Sequence, residues 1–465
     1  MKKNTSRLVG REKEIGFLSD IAALSESSII VVYGRRRVGK TTLIEHVFKN
    51  RGLLKIEGIE GGRESDQLKQ AISQLIPQLK KYPVSYWNPQ SFTDLFRLLE
   101  PIVSKGEWTL FLEEYQWLSS YQSSLTGELK IAWDNWFRKN NRFKLILCGS
   151  SPSFMVSRVL MSRALHNRSQ HELLLKPMSF NEAKHILPDD KDSFSSYLLL
   201  GGVPEYLKRI KKPWIKSFYD QAFSGNGFFL DEFNRILVSS LSTNPNYKKI
   251  LLFLSKAGYA ERTEIANYLK IKAGGSLSDL LEDLEMSGFI RSYIPVDKKD
   301  SSILKRYKIS DFFLKTYFKF IHPEYARIKQ GVSTPPTLDQ IYAHLGYAFE
   351  EYCLQNQRRI ATLLGFSGVK YTSGSYFFRG SKSYQLDLVF VRADGVHTIC
   401  EIKYSDILSS KSIANFNRAI AIYKEKNPAA SVERILICKS SVKKPSSIQF
   451  EFDKVITLEE LIKRE

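Results

Sequence analysis

The stretch Gly34-Arg35-Arg36-Arg37-Val38-Gly39-Lys40-Thr41-Thr42 constrains this chain more than any other, because it fits G-x-x-x-x-G-K-[ST]. A β-branched run, Ile29 to Tyr33, precedes it and reads as a buried strand; Thr42 to Phe48 follow as a helix. Strand, glycine loop and helix in this order is the context that a phosphate-binding loop requires. The loop's backbone N–H groups can curl around phosphates, and the positive end of the helix faces the same anion. All nine loop residues are therefore candidate ATP contacts. Lys40 is expected to reach the β- and γ-phosphates and Thr41 to hold Mg²⁺.

An acidic strand end should accompany such a loop. Trp108 to Leu112 is apolar and ends in Glu113-Glu114. Glu113 is the candidate Mg²⁺ partner of Thr41, and Glu114 is the candidate for orienting an attacking water. A third apolar strand, Lys144 to Leu147, runs into Gly149-Ser150-Ser151, where a polar residue can sense a γ-phosphate. Arg163 and Arg168 fit arginine fingers and surface arginines equally well.

These blocks carry a resemblance. LVGREKEI from Leu8, YGRRRVGKTTLI, LFLEEYQWL, LILCGSS, LLLKPMSFNEA and LGGVPEYL from Leu200 follow one another as in the archaeal-type P-loop ATPases. That family belongs to the STAND branch of the AAA-like ATPases and also occurs in bacteria. The resemblance implies an ASCE-type parallel sheet with a helical lid over residues 1–235. It also implies that Gly202 and Pro204 lie near the nucleotide and Gly10-Arg11 near the base. Two features depart from the family: Glu113 stands where Asp is usual, and SRALHN replaces a Pro-Leu-Tyr-Gly stretch before Arg168. An extra methylene matters at a Mg²⁺ site, which tolerates geometry poorly.

From Asn246 the pattern changes. YKKILLFLSKAG has helical spacing, ERTEIANYL reads as a short helix with Thr263 as its cap, and GGSLSDLLEDLEMSGFI reads as a third helix closed by Gly288. Two strands around a charged turn follow, so residues 236–328 are expected to form a winged helix-turn-helix. Asp279, Glu282, Asp283 and Glu285 make its third helix a poor partner for phosphate. The wing, with Arg291, Lys298, Lys299, Lys305 and Arg306, is the better DNA candidate. Mechanical coupling to the ATPase is the other role open to this unit.

Residues 329–340 hold two prolines among polar neighbours and read as a linker. The remainder, 341–465, opens with one amphipathic helix, AHLGYAFEEYCLQNQRRIATLLG, carrying Glu350 and Glu351. Next comes a hairpin, YQLDLVFVRADGVHTICEIKY, turning at Asp394-Gly395. Counting from the turn sets Asp387 opposite residue 401 or 402, and Glu401 and Lys403 share a face because strands have period two. Charges in an apolar strand are costly without a partner or a metal. Asp387 and Glu401 are thus candidate Mg²⁺ ligands, with Lys403 positioning water or neutralising developing charge. The pattern resembles the D…ExK core of the PD-(D/E)xK, restriction-endonuclease-like superfamily. Gly346-x-x-Phe349-Glu350 resembles that superfamily's helix acid, which implies that Glu350 is a further ligand. The pairing of such an ATPase with this terminal domain resembles a known arrangement.

The formal net charge of +20 on 465 residues draws the protein toward polyanions, DNA first. No apolar run reaches the length of a membrane helix, and no apolar stretch follows the basic N-terminus, so neither a membrane partner nor a secretory leader is expected. The four cysteines lack CxxC spacing, which argues against zinc and disulfides and fits a reducing cytoplasm. The expected fold class is α/β throughout: ATPase core with lid, winged helix, then nuclease-like domain. The expected function is an ATP-binding ATPase controlling a metal-dependent nuclease-like domain that acts on DNA. The alternatives are a signalling switch that binds ATP and assembles into a homo-oligomer, its C-terminal domain inactive, and a regulator acting through the winged helix.

Overall fold

The computed structural model describes residues 8–119, 124–165, 168–188, 192–241, 244–294, 296, 305–378, 384–405, 408–440 and 451–463. Lys298 and Lys299 of the expected wing lie outside the described residues. No described helix is long and apolar enough to cross a membrane.

The N-terminal part is built on five parallel strands: β1 (Ser28–Tyr33), β2 (Gly52–Glu57), β3 (Trp108–Glu113), β4 (Lys144–Gly149) and β5 (Ser169–Leu174), in the order β2-β3-β4-β1-β5. All six residues of β1 are buried, as a central strand covered on both faces requires. One apolar layer packs Leu95, Phe96 and Leu129 on one face; Leu18, Leu43 and Phe48 cover the other. The strands' carboxyl ends carry the glycine loop after β1, Glu113-Glu114 after β3 and Ser150 after β4, so the three blocks read from sequence meet at one edge of the sheet. Open α/β sheets bind ligands at such an edge. β5 was not foreseen, because its alternating pattern is too weak to mark a strand.

Short helices follow, among them Ser193–Leu200, Pro204–Leu207 and Glu232–Ser240. Then come helices Asn246–Ala257, Arg262–Leu269 and Gly275–Met286 with a small antiparallel sheet, β6 (Ala260–Glu261), β7 (Ile290–Tyr293) and β8 (Arg306–Ile309), in the order β6-β8-β7. The middle helix starts earlier than expected: Glu261, not Thr263, caps it through a reciprocal box with Glu264.

The C-terminal part is a mixed sheet, β13-β12-β11-β10-β9, of β9 (Tyr371–Phe378), β10 (Tyr384–Arg392), β11 (Val396–Lys403), β12 (Ser431–Cys438) and β13 (Lys454–Thr457). β9, β10 and β11 pair antiparallel; β11, β12 and β13 pair parallel. Helix Ser410–Lys426 supplies the crossover between β11 and β12. The single helix expected before the hairpin is two. Thr337 caps Leu338–Gln355, which breaks at Asn356 before Gln357–Leu364. The proline-rich connection is correspondingly shorter than residues 329–340, since Tyr325–Lys329 and Leu338 onward are helical.

That connection does not separate independent cores. Phe194, on helix Ser193–Leu200, stacks edge-on against Tyr352 with ring centroids 5.0 Å apart and contacts Phe349 and Tyr404 at 6.2 Å each. Thr316 Oγ1 donates to the Leu199 carbonyl at 2.7 Å and meets His344 Nε2 at 3.0 Å. The Arg306 guanidinium lies between the rings of Tyr259, 4.2 Å away, and Phe377, 3.5 Å away, joining β8 to β9. One apolar cluster therefore runs from Met178 to Leu461. Replacing Phe194 with Ala should cost about 3–5 kcal/mol in urea-induced unfolding, the range for a buried aromatic. A loss below about 1 kcal/mol would show that this contact does not belong to the core.

Candidate functional site

The glycine loop leaves β1 through Gly34, whose φ of +149° and approach to the Leu175 carbonyl admit no side chain; a Cβ there would lie 2.2 Å from that oxygen. Lys40, buried at the start of helix Lys40–Val47, folds back and donates to the carbonyls of Gly34 at 2.8 Å and Arg35 at 3.1 Å. Thr41 Oγ1 donates to Glu113 Oε1. Glu113 also pairs with Lys55 of β2 at 2.5 Å. Burial alone would lower the Lys55 ammonium, but Glu113 and Glu45 outweigh it and hold its pKa above the ordinary value. Lys55 was missed because nothing local in β2 marks it; its partners lie on other elements.

A cavity of 380 Å³ opens over this loop, lined by Arg36, Arg37, Gly39, Lys40, Thr41, Thr42, Glu113, Glu114, Pro204 and Lys208 among others. Glu114 sits in left-handed backbone conformation, φ 48°, and accepts from Ser150 Oγ at 2.6 Å and Gln116 Nε2 at 2.7 Å. Ser150 Oγ also lies 3.0 Å from the carbonyl of Ser239 on helix Glu232–Ser240, so the end of β4 touches the lid. Pro204 is held over the loop by the turn before it. There Met178 N donates to Gly202 O at 2.7 Å, and a Cβ on Gly202 would fall 1.8 Å from the Met178 carbonyl oxygen. Lys208, one helical turn after Pro204, shares the cavity and was legible only by that spacing.

The three loop arginines part company. Arg36 and Arg37 line the cavity; the Arg35 side chain does not. Arg35 is buried and its guanidinium pairs with Asp311, far along the chain at the end of the small antiparallel sheet. Arg37 pairs with the buried Glu232 at 3.1 Å and lies 4.6 Å from the Phe228 ring. Arg11 is also buried. Its guanidinium donates to the Val38 carbonyl at 3.1 Å and the Lys176 carbonyl at 2.7 Å. It lines a 70 Å³ pocket beside the loop with Leu8, Val9 and Pro204. Neither Arg163 nor Arg168 lines the cavity. Arg168 is held in a fork by Asp134, Nε–Oδ1 2.9 Å and Nη2–Oδ2 3.0 Å.

The loop fits a nucleotide: a buried lysine satisfied by loop carbonyls, a cavity above it, and a hydroxyl and carboxylate side by side. Mg²⁺ takes one or two protein oxygens and completes its shell with water and phosphate oxygens, so Thr41 and Glu113 suffice as a donor set.

A second constellation lies in the C-terminal sheet. Leu388 of β10 faces Cys400 of β11, which sets Asp387 beside Glu401 as counted. Lys403 Nζ lies 2.7 Å from Glu401 Oε1 and 3.8 Å from Asp387 Oδ2, and the Ile402 amide donates to Asp387 Oδ2 at 3.1 Å. Burial raises the Asp387 pKa, against Lys403 and the Ile402 N–H; burial and then Asp387 raise that of Glu401. Burial followed by the Asp387 charge pushes Glu350 up to about 7. The Lys403 ammonium, which burial would lower, is held up by both carboxylates. Among the described residues no group of three or more His, Cys, Asp and Glu side chains is placed to hold a metal ion. The neighbouring Glu351 has a different role. It is fully buried and bound by Arg291 at 2.7 Å, Lys308 at 2.9 Å and Lys315 at 3.3 Å. These cations outweigh burial and hold its pKa well below the carboxylate range.

Residues 8–210 match the family described as an ATPase domain predominantly from Archaea. The chain is 26% identical over 407 residues to the uncharacterized protein MJECL04 of Methanocaldococcus jannaschii, covering 86% of this chain and 88% of that one. Among solved structures it is similar to the Walker-type ATPase PABY2304 of Pyrococcus abyssi (20% identity, TM-score 0.49, 67% of this chain and 96% of that one). It is also similar to the Aeropyrum pernix ORC2 protein (16% identity, TM-score 0.42, 70% and 95%). The family match thus gives residues 8–210 as an archaeal-type ATPase domain, the stretch that holds the phosphate-binding loop.

Lys40→Ala should abolish ATP binding in calorimetric titration with Mg²⁺-ATP; unchanged binding would refute the loop assignment. Asp311→Asn leaves the buried Arg35 charge uncompensated and should lower unfolding free energy by about 3–5 kcal/mol. An unaltered denaturation midpoint would mean that Arg35 finds another partner.

Proposed function

We propose that this protein is an ATP-hydrolysing switch of the cytoplasm that controls a metal-dependent, nuclease-like C-terminal domain acting on DNA. The observation that carries the reading is the meeting of Asp387, Glu401 and Lys403 on one face of β10 and β11, with Glu350 within electrostatic reach. Nothing about strand pairing calls for two carboxylates and a lysine among apolar neighbours, and each buried charge has a desolvation cost of several kcal/mol.

In this reading the loop amides and Lys40 bind the β- and γ-phosphates, and Thr41 and Glu113 hold Mg²⁺. Glu114, fixed by Ser150 and Gln116, orients water for attack on the γ-phosphate. Arg37 answers the arriving phosphate charge, and its pairing with Glu232 carries that response into the lid. Residues 236–328 act as a winged helix whose main task is mechanical; Arg35–Asp311 and Lys315–Glu351 are its couplings at either end. In the C-terminal domain Asp387 and Glu401, with Glu350, would hold a divalent cation. That cation, when bound, would polarise a phosphodiester and lower the pKa of water. Lys403 positions the water and offsets charge developing on the scissile group.

One observation favours a second reading. Lys403 already bridges Asp387 and Glu401, and no three-residue metal cluster exists among the described residues. A switch that assembles on ATP and uses its C-terminal domain only to bind DNA or protein would retain such an ion cluster without turnover.

The deciding experiment incubates the purified full chain with plasmid and with single-stranded DNA, in Mg²⁺ or Mn²⁺, with and without ATP. It runs beside the Asp387→Ala/Glu401→Ala double variant. Metal-dependent cleavage by the unaltered protein alone, lost with EDTA, is the expected result, and its ATP dependence measures the coupling. No cleavage in any condition, with ATP still bound, would leave the switch.

A further inference from the structure

A large cleft lies between the middle and C-terminal units, apart from the ATP cavity, and of the residues singled out in the sequence motifs it contains Glu350. Its volume is 920 Å³. Lys308, Lys315 and Lys319 line one wall, and Tyr259 stands at its edge. The opposite wall is one face of helix Leu338–Gln355, where Tyr347 and Glu350 fall one turn apart.

Three features distinguish this cleft from a gap between packed units. Phe318 and Phe320 at its floor belong to the core, but two of its aromatic side chains stand clear of it: Tyr347 is 69% exposed and Tyr259 38%. Its charge is of one sign apart from Glu350, the one acidic residue lining it among the described residues. Lys308 and Lys315 share Glu351 with Arg291, so three cations face one buried carboxylate, and Lys319 stands exposed beyond them. Finally, the cleft ends at the carboxylate constellation. Glu350 feels the charges of Asp387 and Lys403 on one side and of Lys308 and Lys315 on the other.

A positive groove with exposed aromatic faces is the arrangement that tracks an unpaired polynucleotide, its phosphates on the cations and its bases stacked on the rings. The volume falls within the range of about 300–1,000 Å³ that encloses small ligands. That suits a short run of unpaired nucleotides. We propose that this cleft binds single-stranded nucleic acid, with phosphates along Lys308, Lys315 and Lys319 and bases stacked on Tyr347 and Tyr259. A strand so held presents its backbone to Glu350. The proposal rests on the nuclease-like reading for its direction, but its binding step stands apart from catalysis.

The test uses the full chain in EDTA, so that no turnover intervenes, and fluorescence anisotropy with labelled oligodeoxyuridylate, oligouridylate and a duplex of equal length. The variants are Tyr347→Ala and Lys319→Ala, both at exposed positions. The unaltered chain should bind a single strand in preference to the duplex, and the tighter of the two single strands identifies the sugar. Tyr347→Ala should weaken that binding on the order of tenfold. Lys319→Ala should flatten the dependence of log affinity on log salt by about 0.7. Duplex binding as tight as that of either single strand, or affinities unmoved by both substitutions, would overturn the cleft. In the DNA-cleavage assay the two readings separate. Binding that depends on Tyr347 without cleavage supports the cleft and removes the nuclease. Cleavage indifferent to Tyr347 and Lys319 keeps the nuclease and removes the cleft.

Discussion

The buried pair between Arg35 and Asp311 ties the phosphate loop to everything downstream of the lid. Arg35 stands in the loop itself, between the glycine that ends β1 and the lysine that meets phosphate. Its carbonyl accepts from Lys40 while its guanidinium leaves the cavity for Asp311. Asp311 in turn caps the short helix Phe312–Thr316, its Oδ1 accepting from the Leu314 amide at 2.7 Å. One turn on, Lys315 reaches Glu351 of helix Leu338–Gln355, which carries Glu350. A single short helix therefore touches the ATP loop at one end and the carboxylate-bearing helix at the other. Both contacts are ionic pairs whose carboxylates are buried, where charges interact more strongly than in water.

This arrangement gives nucleotide binding something to act on. A ligand shifts an equilibrium only through contacts that differ between states. The loop offers such contacts in Arg37, which is bound to Glu232 while facing the cavity, and in Ser150, which bonds both Glu114 and the lid carbonyl of Ser239. On the proposed reading a phosphate in the cavity competes with Glu232 for Arg37, and Ser150 reports the state of Glu114 to the lid. The shared apolar cluster from lid to C-terminus then makes the lid, the middle helices and helix Leu338–Gln355 one packed body. Close-packed interiors transmit displacement instead of absorbing it.

The sequence was most legible where function is local. The loop, the acidic end of β3 and the end of β4 each announce themselves within a few residues, and the hairpin register followed from counting to Asp394-Gly395. The rest depended on contacts between distant positions. Arg35 occupies a variable position of its motif, and only Asp311, 276 residues away, gives it a role. Lys55 and Glu232 are ordinary residues of a strand and a helix until the fold brings them to the loop. The helix carrying Glu350 read as continuous because its apolar spacing persists through the break at Asn356. The connection before it read as a linker from its prolines, yet Tyr219 Oη donates to the Pro336 carbonyl at 2.5 Å and fastens it to the lid. Composition reports backbone freedom, and tertiary bonds override it.

The same contrast bears on the charges of the hairpin. Glu351 shows what a structural carboxylate looks like in this fold: fully buried, matched by three cations, and held ionised. Asp387, Glu401 and Glu350 show the opposite. Three carboxylates share chiefly Lys403; burial pushes all three pKa values up, and the Asp387 charge adds to the rise at Glu350 and Glu401. An ion cluster kept for stability would gain by exchanging its charges for packed apolar groups. On the proposed nuclease reading, this shortage of positive charge beside a cleft lined with lysine and tyrosine is what a cation and its accompanying phosphate would make good.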